Sequence, residues 1–113
     1  MTAVETPRAV ANLDEILTVP GLDGIFIGPM DLSTSMGYFA DPSQPAVQAA
    51  IATIEAKVLA AGKFLATVAG SWAQAQQLYQ HGYGLLLALA DGTALAGLAA
   101  ERVAQFRKEY PAG

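Results

Sequence analysis

Apolar residues recur every three or four positions in several stretches of the chain and run without alternation in shorter stretches between them. Thr6-Pro7 reads as an N-cap followed by proline at the first helical position, and Val10, Leu13 and Leu17 share one side of the helix this predicts over 7–17. Pro20-Gly21 interrupts the pattern, and Ile25-Phe26-Ile27 then predicts a strand over 24–28 buried on both faces, as in a parallel sheet. From Pro45, the positions Val47, Ile51, Ile54, Val58 and Ala61 line one helical face up to Gly62, a natural carboxyl-terminal stop. Phe64 to Ala69 is the next buried strand. Ser71 with Gln74 forms a capping box for a helix to about Gln80, and Gly82 ends it. Tyr83 to Ala90 is the last strand. Asp91 or Thr93 caps a final helix whose apolar face is Leu95, Leu98, Ala99, Val103 and Phe106, with basic residues near its carboxyl end. The segment 33–44, rich in Ser, Gly, Asp and Pro, reads as a long loop with at most a short turn of helix, and Ala3 to Glu5 as a strand stub at the front.

Strands that alternate with helices build a parallel sheet. Three or four such βα units suit a small flavodoxin-like domain or part of a (β/α)₈ barrel, and a full barrel needs about 250 residues. The chain has 113 residues, 53% apolar and 14% charged, with a formal net charge of −4, which fits one folded unit over 1–113. Ten acidic side chains against six Lys and Arg leave no basic patch for a phosphodiester backbone, so nucleic acid is not an expected partner. The longest apolar run, Leu85 to Ala90, is too short to cross a bilayer, and no membrane partner is expected. The absence of cysteine removes disulfides, thiolate chemistry and Cys-ligated zinc. With no signal peptide visible in the first residues, the expected location is the cytoplasm.

The stretch Gly28-Pro29-Met30-Asp31-Leu32-Ser33 carries the candidate chemistry. Glycine and proline stop the strand, so Asp31 falls just beyond a strand's carboxyl end, where parallel α/β folds bind ligands. By spacing alone, Asp31 serves equally well as the cap of a helical turn through Ser33. Lys57 and Lys63 read as helix-surface and helix-end residues, and His81, the only histidine, as a residue at a helix carboxyl end facing the helix dipole. Trp72 and Tyr79 on one helix, Met36 and Phe39 in the loop, and Val68 in its strand read as packing residues.

Gly28-Pro29-Met30-Asp31-Leu32-Ser33 resembles the GPxDLS motif of the HpcH/HpaI aldolase family, the class II pyruvate-dependent aldolases of the phosphoenolpyruvate/pyruvate barrel superfamily. Val4-Glu5-Thr6, Asn12-Leu13-Asp14-Glu15-Ile16 and Gly21-Leu22-Asp23-Gly24 are similar to further segments of that family, as are Gly37-Tyr38, Pro45 and Ala61-Gly62-Lys63, so the resemblance covers nearly the whole chain. It implies an α/β fold in which parallel βα units form the carboxyl-terminal half of a (β/α)₈ TIM barrel. It also implies that Glu5 and Asp31 are the two protein ligands of a divalent metal, Mg²⁺, Mn²⁺ or Co²⁺, and that Gly28, Pro29, Met30 and Asp31 hold pyruvate. The implied reaction is reversible cleavage of a 4-hydroxy-2-oxo acid to pyruvate and an aldehyde.

The family's general-base histidine, its acidic partner and its keto-binding arginine have no counterpart in this sequence, so no catalytic residue is assigned. Met30 stands where the family usually has alanine, and Asp91 lacks the preceding glycine and receives no role. The expected partners are the substrates, together with further copies of the chain or a missing amino-terminal half. The other reading, from a different class, is a non-catalytic barrel fragment acting as a structural or interaction module.

Overall fold

The computed structural model describes residues 1–111; Ala112 and Gly113 of the predicted 1–113 unit lie outside the described residues. Strand β1 (Thr2–Val4) is followed by two short helices, α1 (Pro7–Ala11) and α2 (Leu13–Leu17), then β2 (Gly24–Ile27) and α3 (Pro29–Ser35). Helix α4 (Pro45–Ala60), β3 (Phe64–Val68), α5 (Trp72–Gln80), β4 (Tyr83–Leu87) and α6 (Asp91–Glu109) complete the order. The four strands form one parallel sheet in chain order, β1-β2-β3-β4. This is the parallel βα architecture expected from the sequence.

Several boundaries differ from the sequence reading. The predicted helix over 7–17 is two helices, because Asn12 leaves helical geometry at φ −92°, ψ 9° and serves as the C-cap of the first and the N-cap of the second. Strand β4 ends at Leu87 rather than Ala90. Its neighbour β3 ends at Val68, and the last rung between them runs from the Ala69 amide to the Leu87 carbonyl. The first residue of α6 is Asp91 and its N-cap is Ala90, so neither Asp91 nor Thr93 caps it through a side chain. Ser71 does cap α5, accepting from the Gln74 amide, and Gln74 reaches back one residue further than a capping box requires, to the Gly70 amide. The segment 33–44 is helical at its start, since α3 extends to Ser35.

The sheet has two unlike faces. Side chains alternate along each strand. Val4, Ile25, Ile27, Leu65 and Tyr83 point to the face covered by helices, where they form one buried cluster with Leu13, Leu32, Val47, Ile54 and Val58. Phe26, Phe64, Ala66, Val68, Leu85 and Leu87 point the other way. The register joins them across the sheet, Phe26 to Ala66, Ala66 to Leu85 and Val68 to Leu87, and a bulge at the start of the β3–β4 ladder leaves Gly84 unpaired. On that face Leu87 is 50% exposed and Val68 42%. Val68 is therefore not the core valine expected from the sequence.

Helix α6 buries none of its residues, and the molecule extends to 63 Å along an axis against 28 and 20 Å across. Its predicted apolar stripe is regular but lies uncovered, with Leu95, Leu98 and Phe106 exposed. Trp72 and Tyr79 also stand outside the core, at 75% and 74% exposure, which corrects their reading as packing residues. Phe39 is exposed as well, whereas Met36 packs partly against the core.

Candidate functional site

Glu5 follows β1 directly, and the register Val4 to Ile27 carries forward to place it level with Gly28. Val4 points into the covered core, so alternation sends the next side chain, Glu5, to the open face at the carboxyl end of the sheet. The Glu5 carboxylate lies directly against the Gly28 backbone. A Cβ built on Gly28 would sit 2.5 Å from Glu5 Oε1 and 2.8 Å from its Cγ, so only glycine leaves room for that carboxylate. This is the reason for glycine here, since its φ of −98° is open to any residue.

Gly28 is also the N-cap of α3, with Pro29 in the first turn and Asp31 three residues beyond the cap. The Leu32 amide donates to the Gly28 carbonyl at 2.9 Å as the first helical bond. The amides of Met30 and Asp31 precede it and have no partner within the helix, and no side chain caps them. Among the described residues the Asp31 carboxylate makes no hydrogen bond, which rules against the capping role that spacing had left open. Asp31 and Met30 are both exposed, and Pro29 is partly buried.

Polar side chains to which the sequence reading gave no role of their own hold this turn in place. Ser33, fully buried, donates from Oγ to the Met30 carbonyl at 2.7 Å, and Thr34 Oγ1 donates to the same carbonyl at 2.9 Å. Thr67 on β3, 3% exposed, donates to the Ile27 carbonyl at 2.9 Å and so ties the last residue before Gly28 to the neighbouring strand. A lone threonine in the run Phe64-Leu65-Ala66-Thr67-Val68 is the only sequence signal of that role. Beyond α3, Asp41 accepts from the Ser43 amide and hydroxyl and from Gln44 Nε2; these bonds hold its carboxyl below the ordinary range.

The same rim of the sheet carries a cavity of about 510 Å³ at the carboxyl ends of β3 and β4, lined by Val68, Leu87, Leu89, Ala90 and Ala94 among others. His81 is far from it in the fold. It is the C-cap of α5 just before β4, at the amino end of the sheet, and its Nε2 lies 3.3 Å from Glu55 Oε2. Glu55 also accepts from the Tyr83 hydroxyl at 2.7 Å. Burial, reinforced by the Glu55 carboxylate, pushes the Tyr83 phenol well above its ordinary value. Lys57 pairs with Asp14 at 2.7 Å, and Lys63 donates to the Leu22 carbonyl, so both lysines hold α2 and the chain before β2 against α4, as structural residues would.

The sequence profile of the family described as HpcH/HpaI aldolase/citrate lyase matches residues 1–96. The chain belongs to that family. Among curated HpcH/HpaI relatives, a 4-hydroxy-2-oxo-heptane-1,7-dioate aldolase from Salmonella arizonae is 40% identical over 104 residues, covering 92% of this chain and 39% of that protein. The chain thus spans about two fifths of the length of the curated relatives it matches. Among solved structures, an HpcH/HpaI aldolase/citrate lyase family protein from Burkholderia cenocepacia superposes with a TM-score of 0.84 at 33% identity, covering 93% of this chain and 41% of that one. Macrophomate synthase superposes with a TM-score of 0.87 at 23% identity, which supports the fold alone. These neighbours are TIM-barrel aldolases and related enzymes, and the four βα units seen here are one half of such a barrel. No described helix is long and apolar enough to cross a membrane.

Proposed function

We propose that this chain carries the metal and pyruvate half-site of a carbon–carbon lyase that reversibly cleaves a 4-hydroxy-2-oxo acid to pyruvate and an aldehyde. The observation that carries the reading is the Glu5 carboxylate laid against Gly28 at the carboxyl end of two adjacent strands, beside the turn that presents Asp31. Two hard oxygen donors with room for water and substrate around them fit Mg²⁺, Mn²⁺ or Co²⁺, and Glu5 and Asp31 are the residues that would hold the ion. Among the described residues no group of three or more acidic or histidine side chains is placed to hold an ion, so substrate and water oxygens would complete the coordination. When bound, the cation supplies positive charge beside the pyruvate keto oxygen, where negative charge develops as the carbon–carbon bond breaks or forms.

The remaining roles fall to the chain itself. The free amides of Met30 and Asp31 donate to the pyruvate carboxylate, and Gly28 and Pro29 form the floor on which it lies. The Met30 side chain, 48% exposed, borders the bound acid. The apolar cavity between Val68 and Leu89 receives the aldehyde carbon chain. No group in this chain is assigned to move the methyl proton: His81 sits at the opposite end of the sheet. A chain of this composition, without cysteine, suits the reducing cytoplasm.

Calorimetric titration of Mn²⁺ into the protein, with and without pyruvate, tests the reading. Metal binding that pyruvate tightens and Asp31→Ala abolishes is the expected result. Equal binding by the wild type and the variant would instead favour the module without catalytic function.

A further inference from the structure

We infer that Thr34 is a positioning residue that couples the segment after α3 to the turn carrying Met30 and Asp31. Within 37–40 the backbone is left-handed at Gly37, with φ 89°, at Phe39, with φ 44°, and at Ala40, with φ 61°. Glycine adopts that conformation freely, whereas a Cβ makes it costly, and here two residues with Cβ atoms adopt it in succession. Burial does not offset the cost, because Phe39 is 92% exposed and Ala40 is exposed beside it. Strained backbone persists where neighbouring bonds over-determine it, and such segments gather at ligand sites.

The Ala40 amide donates to Thr34 Oγ1 at 3.0 Å, and the same hydroxyl donates to the Met30 carbonyl at 2.9 Å. Thr34 therefore accepts from the strained segment and donates to the turn, and two hydrogen bonds in series strengthen each other. Beside this link the Tyr38 amide donates to the Ser33 carbonyl at 2.9 Å and the Asp41 amide to the Tyr38 carbonyl at 3.0 Å. Asp41 is fixed in turn by Ser43 and Gln44. Ser33 Oγ also reaches the Met30 carbonyl, yet it is Thr34 that joins this carbonyl to Ala40. All of these bonds lie between Met30 and Gln44, so the link is complete within one short stretch and involves neither edge of the sheet. A valine at this position would keep the shape and lose both bonds, whereas a serine would keep both. The inference rests on the proposed half-site, since it assigns Thr34 to hold the Met30 and Asp31 amides in place for the pyruvate carboxylate.

Thr34 is exposed, so replacing it spares the core. Without any ligand, amide hydrogen exchange reads the coupling at Leu32, whose amide closes the turn on the Gly28 carbonyl at 2.9 Å. Thr34→Val is expected to speed exchange at both Ala40 and Leu32, and Thr34→Ser to restore both. In calorimetric titrations Thr34→Val is expected to reduce the tightening of Mn²⁺ by pyruvate about three- to tenfold, as the loss of one hydrogen bond would, with Thr34→Ser again restoring it. Mn²⁺ alone should bind Thr34→Val nearly as it binds the wild type. Faster exchange at Ala40 with Leu32 unchanged, or a Thr34→Val protein that matches Thr34→Ser in both assays, would overturn the coupling. An equal loss of Mn²⁺ binding without pyruvate would mark a general loosening of the turn and overturn it as well. A wild type in which pyruvate has no effect on Mn²⁺ binding would refute the half-site instead, and exchange at Leu32 would still decide whether Thr34 couples the segment to the turn.

Discussion

The two faces of the sheet are built from the same four strands and from equally apolar side chains, yet one is sealed and the other is not. Ile25, Ile27 and Leu65 are fully buried beneath α4 and its neighbours, whereas Val68, Leu85 and Leu87, on the same or adjacent strands, keep about half their surface. Strands without polar alternation belong to sheets covered on both sides. The open face therefore has the composition of a core without the cover. Glu5 and Gly28 lie on that open side, at its carboxyl rim, so the candidate site and the uncovered apolar surface are parts of one concavity.

Truncations on the two faces should separate them most widely. Leu65→Ala is expected to cost about 2–5 kcal/mol, the range for a sealed leucine, whereas Leu87→Ala, at a half-exposed position, should cost less than about 1 kcal/mol. Urea unfolding of both variants measures the contrast, and equal losses would mean that the open face is covered in solution. Gly28→Ala drives a methyl group into the Glu5 carboxylate. It should cost about 1–3 kcal/mol in the same assay and weaken Mn²⁺ binding.

Tyr83→Phe leaves Glu55, largely buried, without its hydroxyl donor and should cost about 1–3 kcal/mol. The raised Tyr83 phenol adds a pH signature. Because the folded state resists ionisation of this phenol, its contribution is full below the ordinary value of 10.0 and falls as the pH rises above it. Thermal melts between pH 9 and 12 should show a steeper alkaline loss for the wild type than for Tyr83→Phe. The smallest effect belongs to Lys57→Ala, whose exposed pair with Asp14 should matter by under about 1 kcal/mol.

Periodicity made the strands and the long helix α4 legible, because Val47, Ile54 and Val58 recur with the helix and Ile25 and Ile27 with the strand. The turn after β2 was legible in kind: Gly-Pro stops a strand, and an acid just past it marks a site. What could not be read was which face of the sheet the helices cover. Val68, Trp72 and the α6 stripe have core-like chemistry, and their exposure depends on long-range packing that no local pattern encodes. The contact between Glu5 and Gly28 is likewise a matter of register between distant strands. Family resemblance pointed to Glu5, but only the parity of β1 and β2 explains why its carboxylate reaches the rim. Thr67 and Ser33 were missed because each is a short polar side chain whose role appears only when its carbonyl partner is known.

The most direct test is paramagnetic broadening of amide NMR signals by substoichiometric Mn²⁺ on the isotopically labelled chain. Signals of Glu5, Gly28, Met30 and Asp31 are expected to broaden first, with those of Glu55, His81 and Tyr83 at the far end of the sheet unaffected, and Asp31→Ala is expected to remove the effect. Broadening centred on Glu55 and His81, or spread evenly over the acidic surface, would contradict a metal site at the seam of β1 and β2.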